Sequence, residues 1–193
     1  APLKSAIIGF AAGVLWLGIA AGVLLLTGTM HIPGYQQVPL LGLWILSALL
    51  NTIMQELLIR GYLYQLIKAQ YSTAAAAIAT TALFTFLHGG ALEAGIIPTL
   101  NVVTMSLLMG LVLEYTQSLL APAVMHFLWN CIGGILLGGV SLAEDYPQLC
   151  RTEFTGPVLL SGGAPKMEGS IVVLLLNLLL IAGFAALLKK RKQ

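Results

Sequence analysis

Residues 38–68 read VPLLGLWILSALLNTIMQELLIRGYLYQLIK. This apolar run exceeds the ~20 residues that carry a helix across a bilayer, and Gln55, Glu56 and Arg60 interrupt it. Pro39 suits the first turn of such a helix, and the excess length predicts tilt or protrusion on one side. A charge at mid-span costs about 2.5–3.5 kcal/mol even on the lenient insertion scale. Glu56 and Arg60, four residues apart, share one helical face. Asn51 and Gln55 form a second polar stripe beside it.

Composition extends this reading to the whole chain. Of 193 residues 59% are hydrophobic and 8% charged, with mean hydropathy +0.96, against about 25% charged in a soluble domain. Lipid admits only helices or closed barrels, and the apolar runs are continuous rather than alternating, which excludes a barrel. The expectation is an all-α, polytopic membrane bundle of about six transmembrane helices. These lie near residues 5–29, 38–68, 73–90, 96–116, 119–140 and 169–188. Residues 1–193 form one integral membrane domain, with a motif-bearing core at 38–140.

His31-Ile32-Pro33-Gly34 breaks the first connection. Ser72 or Thr73 caps the third span and Gly89-Gly90 ends it. The long loop 141–168 has Gly162-Gly163 as a turn, and Glu168-Gly169-Ser170 as helix entry. Gly9-x3-Gly13, Gly18-x3-Gly22 and Gly134-x3-Gly138 are expected to permit close helix packing. No disulfide is expected between Cys131, in an apolar span, and Cys150, in a polar loop. The start at Ala1 suggests a trimmed N-terminus, and the first span does not fit a cleaved signal peptide.

The net charge of +2 comes mainly from Lys189-Lys190-Arg191-Lys192. Next to a span, this cluster reads as a cytoplasmic anchor rather than a nucleic-acid patch. With both termini cytoplasmic, these four bases and Lys4, Arg60 and Lys68 fall on or toward the inner side, and only Arg151 and Lys166 outside. The positive-inside rule favours that orientation. Tyr62, Tyr64, Tyr71 and Tyr115 then gather at the inner interface, with Tyr35, Trp44 and Tyr146 at the outer.

Two further polar pairs have i,i+4 spacing: Phe84 with His88, and His126 with Asn130. At about 1.5 Å per residue, Glu56, His88, His126 and Asn130 can meet in the inner half of the bilayer. Each has a structural reading too. Glu56 and Arg60 can neutralise each other, a buried histidine can be satisfied packing, Asn130 can brace two helices, and Phe84 reads as packing. Their convergence from three helices favours a functional site.

A carboxylate in low dielectric can take a proton from water, and an imidazole can orient that water. A second histidine with an asparagine can stabilise an oxyanion. This inventory fits peptide hydrolysis within the membrane. One Glu and two His could hold zinc, but His-Glu-x-x-His is absent, so no metal or cofactor is expected. No serine or cysteine sits in a nucleophile context.

Gln55-Glu56-x3-Arg60, Phe84-x3-His88 and His126-x3-Asn130, in this order on separate spans, resemble the CAAX protease and bacteriocin-processing (CPBP, Abi) family. These are membrane glutamic endopeptidases related to the type II CAAX prenyl endopeptidases. The resemblance implies that the residue at position 55, with His88, activates water, and that His126 and Asn130 stabilise the oxyanion. Glu56 and Arg60 would support the site. It implies a peptide or small membrane-protein substrate, a bacterial cytoplasmic membrane, and roles such as peptide maturation or bacteriocin immunity. Nothing fixes an oligomeric state, and no nucleic-acid partner is expected.

The family pattern has Glu where this chain has Gln55. An amide has nearly the shape of the acid but cannot act as the base. Gln55 is either an introduced inactivation, favoured because every other motif position is intact, or a natural variant that uses Glu56 or has lost proteolysis. The rival functions are a non-catalytic immunity or binding protein that captures a peptide or membrane partner, and a small transporter. Few helix breakers lie within the spans, Pro98 and Pro122 near two of their starts, and this argues against a transporter.

Overall fold

A computed structural model of the chain describes residues 2–141 and 146–191. In chain order the elements are α1 (Pro2–Leu26), β1 (Met30–Tyr35), α2 (Leu41–Gln70), α3 (Thr73–Leu87), α4 (Gly89–Ala94), α5 (Ile96–Thr116), α6 (Leu120–Leu136), β2 (Cys150–Phe154), α7 (Val158–Ser161) and α8 (Ile171–Arg191). The all-α membrane bundle expected from the sequence is what forms. α1, α2, α5 and α8 are long and apolar enough to cross a bilayer, whereas α3 and α6 are apolar but shorter. Lys192 of the basic cluster and residues 142–145 of the long loop lie outside the described residues.

Local chemistry sets several boundaries. Ser72 Oγ accepts the Ala75 N–H at 3.0 Å and so caps α3. Gly89 and Gly90 do not end that helix as expected. It stops at Leu87, His88 leaves helical geometry at φ −100°, and the two glycines open the short α4. The break at residues 31–34 proves to be part of a strand. β1 pairs antiparallel with β2, joining Met30 to Phe154 and Tyr35 to Cys150, with an irregularity between His31 and Gly34. Pro33, which has no N–H to donate, sits in that irregular stretch, where a proline within a sheet is tolerated. Cys131 and Cys150 are both free.

The main core lies where α1 meets α5 and α6. Trp16 and Trp129 stack with ring centroids 4.2 Å apart, over Leu24, Leu108, Met109 and Met125. Gly9 and Gly13 let α1 press against α6. A Cβ on Gly9 would sit 2.3 Å from the Ala121 carbonyl oxygen, and one on Gly13 would sit 2.9 Å from Leu128 Cδ1. The other two expected packing pairs do not behave this way. Among the described residues nothing lies within 4 Å of a Cβ at Gly18 or Gly22, and Gly138, at φ +65°, is a loop residue beyond the end of α6.

The long loop is tied down at the end that leads into α8. Asn101 Nδ2 donates to the carbonyls of Glu168 and Ser170 at 2.8 and 3.0 Å. The Glu168 carboxylate accepts Trp129 Nε1–H at 3.3 Å and the Ser141 N–H at 2.8 Å. Glu168 is therefore a buried brace and not only a helix entry.

Candidate functional site

Of the polar residues singled out in α2, α3 and α6, Arg60 and His126 meet one buried carboxylate, Glu56. Glu56 is fully buried, and its Oε1 accepts from Arg60 Nη1 and from His126 Nδ1, each at 2.8 Å. Because a carboxylate only accepts, the His126 proton belongs on Nδ1, and Nε2 is left as the second functional nitrogen. Arg60 is 1% exposed. It reaches on to Ser106, with Nη2 3.0 Å from Oγ, and Thr81 Oγ1 donates to the same Ser106 oxygen. A buried pair is costly unless its remaining donors are satisfied. Here Ser106 and Thr81 extend the pair into α5 and α3.

Phe84 is the hub of the aromatic contacts. The Arg60 guanidinium carbon lies 4.6 Å from its ring centroid, the His88 ring lies 4.2 Å away, and the His126 ring 5.9 Å away edge-on. Its packing role is thus to space one cation and two imidazoles. His88 Nδ1 lies 2.8 Å from the Phe84 carbonyl. A carbonyl accepts only, so Nδ1 is the donor and Nε2 carries the lone pair. Asn130 is 2% exposed and donates through Nδ2 to Thr52 Oγ1 at 3.3 Å.

Gln55 stands on the neighbouring face of α2. Its Nε2 donates to Asn51 Oδ1 at 3.2 Å, and Asn51 Nδ2 reaches the Tyr146 hydroxyl at 3.4 Å. Gln55 Oε1 is buried without a hydrogen-bond partner. Among the described residues no hydrogen bond joins Gln55 to His88, His126 or Asn130. Position 55 therefore adjoins the Glu56 cluster without belonging to its network. On its outer side a groove of about 680 Å³ runs along α2, lined by Trp44, Ser47, Asn51, Met54 and Tyr146.

Two features of the site escaped the sequence reading. Glu56 immediately precedes a π-helical stretch, Leu57–Leu63, and His126 lies shortly before another, Trp129–Leu136. Such widened turns recur at functional sites, but no residue pattern announces them. Thr52 and Ser106 carry no obvious signal either, though Thr52 precedes Glu56 by four and so belongs to the same stripe.

Compared with known proteins, the chain matches one family model, described as type II CAAX prenyl endopeptidase Rce1-like, over residues 36–132. That segment is about half of the chain, and it contains every motif residue from Gln55 to Asn130. No curated protein and no solved structure matches.

Proposed function

We propose a mechanism from one premise: the chain belongs to the Rce1-like family of type II CAAX prenyl endopeptidases. The family implies an intramembrane endopeptidase acting on a peptide or protein substrate. On our reading, the side chain at position 55 and His88 Nε2 hold the attacking water, and His126 and Asn130 face the oxyanion. Glu56 and Arg60 form the frame. The observation that carries this reading is the Glu56 Oε1 contact with His126 Nδ1. It fixes the imidazole so that Nε2 is the nitrogen available for chemistry. To donate to an oxyanion, His126 must be protonated on both nitrogens, and Glu56 is the counter-charge beside it.

Gln55 cannot accept the proton of water, so we propose that this chain is inactive as it stands. The surroundings tolerate the acid. A Glu at 55 can accept from Asn51 Nδ2 once the Asn51 amide is flipped. The groove beside Asn51 and Tyr146 offers a peptide an approach to this point. We further propose a bacterial membrane setting, both termini cytoplasmic, and a single domain spanning the chain.

The test is mass spectrometry of membrane peptides incubated with the reconstituted protein. Gln55→Glu is expected to generate new cleavage products, and His88→Ala in that background is expected to remove them. Persistence of cleavage without His88 would falsify the assigned roles.

The hydrogen bond from Gln55 Nε2 to Asn51 favours a second reading, a natural non-catalytic protein that binds a peptide or masks a membrane partner. That reading expects a silent Gln55→Glu variant, and binding that survives loss of His88 and His126 together.

A further inference from the structure

At the end of the bundle where α1 begins and α5 and α8 finish, a cleft of about 280 Å³ opens between the three helices. Lys4, Ser5, Ile8, Tyr115, Thr116 and Arg191 line it, and among the described residues no carboxylate does. Glu114, adjacent in sequence, is turned to Lys68 at 2.5 Å. The closing carbonyls of α5 are already occupied. Thr116 Oγ1 donates to Val112, the Gln117 N–H to Leu113, Gln117 Nε2 to Glu114, and Arg191 to Tyr115. Lys4 forms no ion pair among the described residues. Ser5 is 6% exposed and lines the cleft, and its hydroxyl makes no hydrogen bond among the described residues.

Two cations without an ion pair, and a hydroxyl without a hydrogen-bond partner, among the described residues, thus face one polar cleft where three apolar helices end. That level is the headgroup zone of a bilayer. On the α1 surface beside it, Leu3 and Ile7 are 72% and 58% exposed, an apolar wall for hydrocarbon chains. Basic pockets between membrane helices collect phosphate headgroups in this way. We propose that the cleft is a binding site for the phosphate of an anionic membrane phospholipid. Lys4 and Arg191 pair with the phosphate, Ser5 donates to one of its oxygens, and the lipid chains descend along Leu3 and Ile7.

The experiment reconstitutes the protein in bilayers of equal phosphatidylglycerol and phosphatidylcholine, then counts retained lipid by native mass spectrometry. The expected result is preferential retention of phosphatidylglycerol. The Lys4→Gln/Arg191→Gln variant should lower that preference roughly thirtyfold, at about 1 kcal/mol for each basic residue. Lys189→Gln/Lys190→Gln removes the same charge from α8 outside the cleft and should leave the preference intact. Ser5→Leu, which fills the cleft and keeps both cations, should also lose it, and equal melting temperatures would show that all variants fold. An equal loss in both charge variants would reduce the effect to bulk electrostatics and overturn the site. Full retention in Ser5→Leu would do the same, and displacement of the lipid by excess inorganic phosphate would reassign the cleft to a free anion.

Discussion

Glu56 offers one oxygen to two donors, Arg60 Nη1 and His126 Nδ1, each at 2.8 Å. Removing the carboxylate strands a buried guanidinium, so Glu56→Ala should destabilise the protein by about 3–5 kcal/mol. The paired change Glu56→Leu/Arg60→Met, which leaves no stranded charge, should recover most of that loss. Thermal unfolding in detergent of the two singles and the double separates these outcomes, and additive losses would count against the pair. Glu56, Arg60, His88, His126 and Asn130 were legible from sequence because such groups are rare inside an apolar span. Thr52, Thr81 and Ser106 were not. Membrane-helix hydroxyls commonly bond their own backbone, as Thr80 does to Ala76, so nothing in the sequence separates those that reach across to a neighbour.

Helix limits follow apolar length closely, because a bilayer sets that length, and all six expected spans begin within three residues of their helices. The pattern cannot say which face of a helix meets a neighbour. Three glycine pairs share one spacing, yet only Gly9 and Gly13 are in contact with another helix. Gly9→Ala is expected to cost about 1–3 kcal/mol through overpacking, and Gly18→Ala should leave the melting temperature unchanged or slightly raise it. Equal effects at both positions would refute the packing assignment. The β1–β2 pairing was invisible for a different reason. Its two strands are short and lie far apart in the sequence, and Pro33-Gly34 reads as a break rather than as strand.

Across the whole molecule, the site is held by parts of the chain that its own motifs do not reach. Asn101 on α5 grips the loop at Glu168 and Ser170, and Glu168 in turn accepts from Trp129, the residue next to Asn130. Asn101→Leu should therefore raise hydrogen exchange across residues 137–141 and 166–170 while the middle of α1 stays protected. Exchange that rises uniformly would mean global destabilisation instead. The family match begins at residue 36, so α1 lies outside it, although α1 is the helix on which α6 rests. That contact has a genetic corollary. The obstacle to a side chain at position 9 is the main-chain oxygen of Ala121, which no substitution can shorten, whereas at position 13 the nearest atom belongs to the Leu128 side chain. Suppressors of a Gly13→Ala defect should appear at Leu128, and a Gly9→Ala defect should yield none within α6.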